Sequence, residues 1–202
     1  MGAKKRKKNK TANYLISRDQ RVKKMSDAVL GKVRSNFMGT EFIIYDDGKN
    51  PKDKDIRGEN EVRRELGAVT YAANVQGNGP RRMQVVVPNP QDPTDFIDTP
   101  DGHDSIFTRL KEGSTDGVVH GYNKPPSYDS ERGCFTINFN GRVKMASVKN
   151  FQLVHEESTD HIMLQFGRIA KDTFNVDIRY PMSPLQAFAI CLTSLDSKIA
   201  TD

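Results

Sequence analysis

The chain contains 202 residues with a formal net charge of +5, and 36% of its residues are hydrophobic, with no tryptophan among them. This length fits a single domain, and two cysteines are too few for the framework of a small disulfide-rich secreted protein. The basic start MGAKKRKKNK is followed by no apolar segment of the kind that forms a secretory signal. No apolar run reaches the roughly 20 residues that a membrane-spanning helix needs.

The positive charge is concentrated at the start of the chain. Six lysines and arginines lie within residues 1–10, and they leave the rest of the chain with a net charge of −1. Any anion site on the folded part must therefore be a local cluster of cations. We expect residues 1–10 to form a disordered basic tail and residues 11–202 to form the domain. Taken alone, such a tail fits a solvated charge run as well as a role in nuclear import or in binding acidic lipids.

Segments of strand length, several with alternating apolar and polar residues, follow the tail along much of the chain. In chain order they are TANYLIS (11–17), GKVRSNFMG (31–39), TEFIIYDDG (40–48), ELGAVTYAANV (65–75), RRMQVVVP (81–88), CFTINFNG (134–141), RVKMASVKNFQLV (142–154), HIMLQFGRIA (161–170) and TFNVDIRY (173–180). Asn140-Gly141 has the composition of a tight hairpin turn between two of them. Strands at short spacing predict an antiparallel sheet that closes or folds on itself.

Residues 88–133 are less regular, because they are rich in proline, aspartate and glycine. A structureless loop of that length is uncommon in a compact domain, so we expect short strands there. A helical turn is also expected around HDSIFTRL (103–110), where Ile106, Phe107 and Leu110 can share one face.

The segment PLQAFAICLTSL (184–195) is the most apolar part of the chain and contains no charged residue. Pro184 suits the first turn of a helix, where its missing N–H costs nothing. A helix without a charged face is typical of a buried element and not of a surface element. Because the interior of a closed sheet widens with its strand number, an apolar helix along the middle would fill it.

Two long segments closely resemble the C-terminal domain of the tubby family: FNGRVKMASVKNFQLV (139–154) and LQFGRIAKDTFNVDIRYPMSPLQAFAICLTSLDSK (164–198). LGKVRSNFMGTEFIIYDDG (30–48), VRRELGAVTYAANV (62–75) and GPRRMQVVVP (79–88) are similar to it too. The resemblance implies a mainly β fold, a closed antiparallel barrel of about 12 strands around a central C-terminal hydrophobic helix. It also implies a membrane-tethered adaptor that binds the headgroup of phosphatidylinositol 4,5-bisphosphate.

Lys32 and Arg34 are two residues apart, so on a strand they project from the same face. From spacing alone, two cations on the outer face of a strand are more often simply solvated than part of a binding site. A lysine point charge beside the planar fork of an arginine nevertheless suits two phosphates at different angles. The resemblance adds two further headgroup residues, so the implied site consists of Asn13, Lys32, Arg34 and Arg63. Arg64 would point to the opposite face of a regular strand, and Arg81 and Arg82 have no such support.

The sequence contains no pattern typical of an enzyme. Its four histidines lack metal-ligand spacing, and no phosphate-binding loop or nucleophile motif occurs. We therefore expect no catalytic residue, no metal and no cofactor.

The expected partner is phosphatidylinositol 4,5-bisphosphate of the inner leaflet. The resemblance adds receptor cargo and the ciliary transport machinery as further partners, and we expect a monomer. The expected location is the cytoplasm and the surface of the plasma membrane, with the cilium and the nucleus as further locations.

A transcription regulator that binds nucleic acid is the alternative function, suggested by the basic tail, although no predicted helix carries a cluster of cations for a groove. A purely structural interaction domain is a third reading.

Overall fold

The computed structural model describes residues 1–6, 10–22, 27–72, 82–92, 94–99, 105–131 and 133–196. The strands are β1 (Gly2–Lys5), β2 (Asn13–Ser17), β3 (Val29–Ser35), β4 (Glu41–Tyr45), β5 (Glu65–Tyr71), β6 (Met83–Pro88), β7 (Val118–Asn123), β8 (Ser127–Asp129), β9 (Cys134–Thr136), β10 (Phe151–His155), β11 (Ser158–Ala170) and β12 (Thr173–Ile178). The α-helices are α1 (Ile106–Glu112) and α2 (Pro184–Asp196), and a 3-10 turn covers Glu59–Glu61.

Ten strands form one antiparallel sheet in the order β1-β2-β3-β4-β5-β6-β7-β10-β11-β12, and β8 pairs with β9 in a separate hairpin. Neighbours in the large sheet are also consecutive in the chain, except where β10 pairs with β7. The prediction of a mainly β, antiparallel fold is confirmed. Each of the nine predicted strand segments overlaps one observed strand, although residues 73–75 and 81 lie outside the described residues.

Helix α2 packs against one face of the large sheet. Its buried residues Ala187, Ala189, Ile190 and Cys191 belong to one core cluster with side chains from strands β2 to β6, β10 and β11. The predicted C-terminal core helix is therefore confirmed. Of the described helices, none has the length and hydropathy needed to cross a membrane.

The uncharged polar residues of α2, which are Gln186, Thr193 and Ser194, are buried and hydrogen-bonded. Ser183 and Gln186 form a reciprocal cap, in which the Gln186 N–H donates to Ser183 Oγ at 3.2 Å and the Ser183 N–H donates to Gln186 Oε1 at 2.9 Å. Farther along, Thr193 Oγ1 lies 2.8 Å from the Tyr71 hydroxyl of β5. The helix is not enclosed on all sides, however, because Leu192 is only partly buried and Leu195 is 42% exposed.

The predicted closure into a barrel is not seen among the described residues. There, strand β1 pairs only with β2, and β12 pairs only with β11, so no strand pairing joins the two edges. The chain that precedes β10 lies beside β12 instead. Asn175 of β12 donates to the Arg142 carbonyl at 2.9 Å, and the Arg142 guanidinium binds both carboxylate oxygens of Asp177, at 2.6 and 3.0 Å.

This same segment corrects the predicted hairpin at Asn140-Gly141. The turn is present, because Asn140 and Gly141 have φ values of 48° and 73°. Residues 137–150 nevertheless form no strand and pack across β11, where a Cβ on Gly167 would overlap the side chain of Val143. The segment covers the sheet and does not extend it.

A second core cluster lies on the opposite face of the sheet, under α1. Ile106 and Leu110 of this helix pack on Ala68 of β5 and Val86 of β6, which confirms the predicted helical turn. The buried Glu65 anchors the start of the helix, since its carboxylate accepts from Ser105 Oγ and the Ile106 N–H, both at 2.7 Å. Strands β5 and β6 are therefore covered on both faces near the point where β4 ends.

The start of the chain differs from the disordered tail that we expected. Gly2–Lys5 form β1, which pairs with β2 over four residues. Lys5 also forms an ion pair with Asp196 at the end of α2. A run of cations predicts solvation, but edge pairing with β2 and one buried carboxylate are enough to order these residues. Residues 7–9 lie outside the described residues.

Candidate anion-binding site

The register of β2 and β3 brings the first three predicted site residues together. Asn13 lies directly opposite Arg34, and Lys32 precedes Arg34 by two residues on the same strand. Gly31 and Val33, which alternate with them, are buried toward the core. Lys32 and Arg34 therefore share the outer face, as their spacing predicts.

Arg63 reaches the same face from the segment before β5. This segment is held against residues 46–49 by backbone bonds, among them the Arg63 N–H to the Lys49 carbonyl at 2.9 Å. The Arg63 guanidinium lies 4.1 Å above the centre of the Tyr45 ring, at the end of β4. Its Nε donates to the Asp98 carboxylate at 2.6 Å, and the residue is only 5% exposed. The side chain is thus fixed before any ligand binds.

Arg64, next to Arg63, points away from the site, as the prediction of alternating side chains required. Arg64 is exposed, and its guanidinium lies 3.5 Å from Asp95, away from the site. Arg82 is exposed as well, whereas Arg81 lies outside the described residues.

The three cations of the site act on one another electrostatically. Partial burial, followed by the charges of Arg63 and Arg34, lowers the pKa of Lys32. Burial and the charge of Arg63 likewise lower the pKa of Arg34. Both arginines remain charged at any physiological pH, so the fold holds like charges close together. The repulsion is only partly offset by nearby carboxylates, of which Asp98 is paired with Arg63, so an approaching anion would be attracted to the cluster.

Two donors of these arginines have no partner within the part of the chain that the structure describes. Nε of Arg34 and Nη1 of Arg63 are both buried and make no hydrogen bond to any described residue. A buried unsatisfied donor costs about 1–3 kcal/mol, and more when it is charged. Of these two arginines, Arg34 lines a cavity of about 240 Å³, together with Ser35, Asn36, Glu41, Ile43, Tyr45 and Phe107. The arrangement is suited to an anion with several oxygen atoms.

Sequence reasoning missed three contributors to the site. Arg6 follows β1, its N–H donates to the Asn13 carbonyl at 2.9 Å, and its charge also lowers the pKa of Arg34. Tyr45 and Asp98 position Arg63 from either side. The only signal for Arg6 was its place in the basic run. For Tyr45 and Asp98 there was none, because their proximity depends on strand register. Within the described ranges, no three His, Cys, Asp or Glu side chains come together to hold a metal ion.

Comparison of the sequence with known proteins identifies its family. The sequence model of the Tub family matches residues 1–197. This chain belongs to the Tub family. It is 45% identical over 205 residues to Tubby-related protein 2 of Mus musculus, covering 99% of this chain and 36% of that protein.

Other Tub family relatives show the same pattern of coverage. Tubby-related protein 3 of Homo sapiens is 42% identical over 213 residues, covering all of this chain and 47% of that protein. Tubby protein homolog 1 of Caenorhabditis elegans is 41% identical over 212 residues, covering all of this chain and 49% of that protein. The chain therefore spans less than half the length of these curated relatives.

Proposed function

We propose that this Tub family chain binds the headgroup of phosphatidylinositol 4,5-bisphosphate and thereby attaches to the inner leaflet of a membrane as an adaptor. The observation that carries the proposal is the pair of buried, unpartnered donors on Arg34 and Arg63, set within a cluster of like charges. A headgroup with two phosphates offers negative charge and acceptor oxygens to these two donors.

Each residue has a distinct role in the proposed complex. Lys32 and Arg34 contact adjacent phosphates from the outer face of β3. Arg63 adds a charge-assisted bond from Nη1, while its Nε stays on Asp98. Asn13, opposite Arg34, supplies a neutral amide for a phosphate oxygen or a ring hydroxyl. Because Tyr45 and Asp98 already hold Arg63 in place, little side-chain entropy is lost on binding.

The distribution of charge favours a phosphoinositide over nucleic acid. Helix α2 carries no basic residue, and α1 carries only Arg109 and Lys111. Arg109 lies 3.7 Å from Asp116, and Lys111 lies 3.4 Å from Glu41. A groove-binding helix needs a row of free cations. The local cluster around Arg34 fits a compact ligand better.

We also propose receptor delivery to cilia and location at the plasma membrane or cilium. They rest on the similarity to Tub family relatives, of which this chain matches less than half.

The test is co-sedimentation of the chain with vesicles of phosphatidylcholine that contain or lack phosphatidylinositol 4,5-bisphosphate, with phosphatidylserine vesicles of equal surface charge as the control. We expect selective sedimentation with the bisphosphate lipid. Equal binding to both anionic vesicles would contradict the proposed site and favour diffuse attraction. A gel shift on random-sequence duplex DNA without vesicle binding would favour the nucleic-acid alternative.

A further inference from the structure

The turn between β3 and β4 presents two large apolar side chains to solvent beside the anion-binding site. This turn, residues 36–40, is called the β3–β4 tip here. Phe37 is 71% exposed and Met38 is 59% exposed. No other large hydrophobic side chain of the described residues is as exposed as Phe37. Such exposure on a folded domain marks a contact surface when it has a fixed geometry and a charged border.

The geometry of the tip is fixed by Asn36. Its Oδ1 accepts hydrogen bonds from the backbone N–H groups of Gly39, Thr40 and Glu41, at 2.8, 3.0 and 3.3 Å. Its Nδ2 donates to Thr40 Oγ1 at 3.0 Å. Gly39 has a φ of 76°, a left-handed conformation that glycine adopts without strain. The exposure of Phe37 and Met38 is therefore built into the turn.

The tip continues directly from the cation cluster. Phe37 follows Arg34 by three residues, at most about 10 Å along the chain at a strand rise of about 3.3 Å per residue. Amphipathic elements at a membrane surface bury their apolar groups about 5–10 Å below the headgroup boundary. If the cations lie at the depth of the lipid phosphates, the apolar tip can lie slightly deeper, among the acyl chains. This order matches the layers of an anionic leaflet.

The charges that border the tip support the same partner. On the β3 side, Arg34 lies three residues before Phe37, and the charge of Arg6 acts on Arg34. On the β4 side, Glu41 is partly neutralised by Lys111, 3.4 Å away. The tip itself contains no charged residue. An apolar point with a cationic border is complementary to the acyl chains and phosphates of an anionic membrane.

We propose that Phe37 and Met38 insert into the lipid bilayer when the neighbouring cations bind the headgroup. This inference rests on the proposed phosphoinositide function. It adds a second contact, with the acyl region, which distinguishes a headgroup within a membrane from the same headgroup free in solution.

The absence of tryptophan allows a direct test. Phe37→Trp places a single reporter at the tip, and Phe135→Trp, at a residue that is 58% exposed on β9, is the control. On addition of vesicles with phosphatidylinositol 4,5-bisphosphate, we expect the tryptophan fluorescence of the Phe37→Trp variant to shift to the blue and to be quenched by acyl-brominated lipid. The Phe135→Trp variant should show neither change.

If the Phe37→Trp variant sedimented with the vesicles but showed no blue shift, insertion alone would be overturned. Failure of the unaltered chain to bind such vesicles would overturn both proposals.

A second test separates the bilayer from the headgroup. Phe37→Ser with Met38→Ser should lower vesicle affinity at least about tenfold, because two apolar side chains no longer leave water. Affinity for soluble inositol 1,4,5-trisphosphate should stay unchanged. Met145→Ser with Val148→Ser, at residues 43% and 57% exposed, should change neither. Unchanged vesicle affinity, or an equal loss for the soluble headgroup, would overturn insertion.

Discussion

Arg63 and Asp98 form a buried ion pair across 35 residues of sequence, with Arg63 Nε 2.6 Å from the carboxylate. Their side chains are only 6% and 15% exposed. Removing one partner of a buried pair leaves a charge without compensation. We therefore expect Asp98→Ala to lower the free energy of unfolding by about 3 kcal/mol, as measured by urea denaturation.

The exposed pair of Arg64 and Asp95 is the matched control, because its side chains are 48% and 67% exposed and lie 3.5 Å apart. Asp95→Ala should change stability by less than about 1 kcal/mol. Similar small losses in both variants would show that the Arg63–Asp98 pair is not desolvated. Combining Asp98→Ala with Arg63→Met should recover part of the loss, since no buried charge is then left alone.

Replacing Lys32 and Arg34 with alanine should abolish selective binding without harming the fold. Charge-assisted hydrogen bonds contribute about 1.5–3 kcal/mol each, so losing two should weaken affinity for vesicles with the bisphosphate lipid about a hundredfold or more. The melting temperature should stay the same or rise, because the pKa of both groups is lowered by burial and like charge in the folded state.

Lys144→Ala with Lys171→Ala removes the same charge from exposed positions beside β11 and serves as the control. It should weaken binding only slightly, through the loss of general attraction. If the two double variants reduced vesicle sedimentation equally, the assignment of Lys32 and Arg34 would be wrong.

Helix α2 should tolerate charge at its exposed end but not in its middle. Ile190 is fully buried and Leu195 is 42% exposed. Ile190→Asp places an unpartnered carboxylate in the core at a cost of several kcal/mol, which is comparable with the stability of a domain. We expect no cooperative thermal transition for Ile190→Asp and a nearly normal one for Leu195→Asp. A folded, cooperatively melting Ile190→Asp would contradict the packing of α2 inside the sheet.

Glu65 should make stability decrease as the pH rises. Burial raises the pKa of Glu65, although its bonds from Ser105 and Ile106 act in the opposite direction. A carboxyl with a raised folded pKa binds its proton more tightly in the folded state. Its contribution is therefore complete below the unfolded pKa and is lost as the pH rises through the folded pKa.

Glu65→Gln removes this dependence. Above about pH 4, where the unfolded carboxyl titrates, the free energy of unfolding of the unaltered chain should fall relative to that of Glu65→Gln as the pH rises, as followed by urea denaturation at several pH values. Glu112→Gln, at an exposed position of α1, controls for the loss of a carboxylate. The raised pKa would be contradicted if the difference in the free energy of unfolding between the unaltered chain and Glu65→Gln stayed constant with pH. A change of this difference in the other direction would contradict it as well.

Local pattern was sufficient for some of these features. The spacing of Lys32 and Arg34 predicted a shared face, because side chains alternate along any strand whatever its neighbours are. The apolar run that begins at Pro184 predicted a core helix, since an element without a charged face has to be covered.

Tertiary structure decided how these parts are assembled. That Asn13 lies opposite Arg34 depends on the register of β2 and β3, and Arg63 reaches Asp98 only once residues 46–49 hold its segment in place. Strand β1 and the cover formed by residues 137–150 likewise depend on partners that are distant in sequence. Side-chain periodicity is a property of a few consecutive residues, whereas register and sheet closure depend on the summed contacts of many segments. The sequence by itself therefore determined which cations share a strand face, and only the folded chain decided what they meet there.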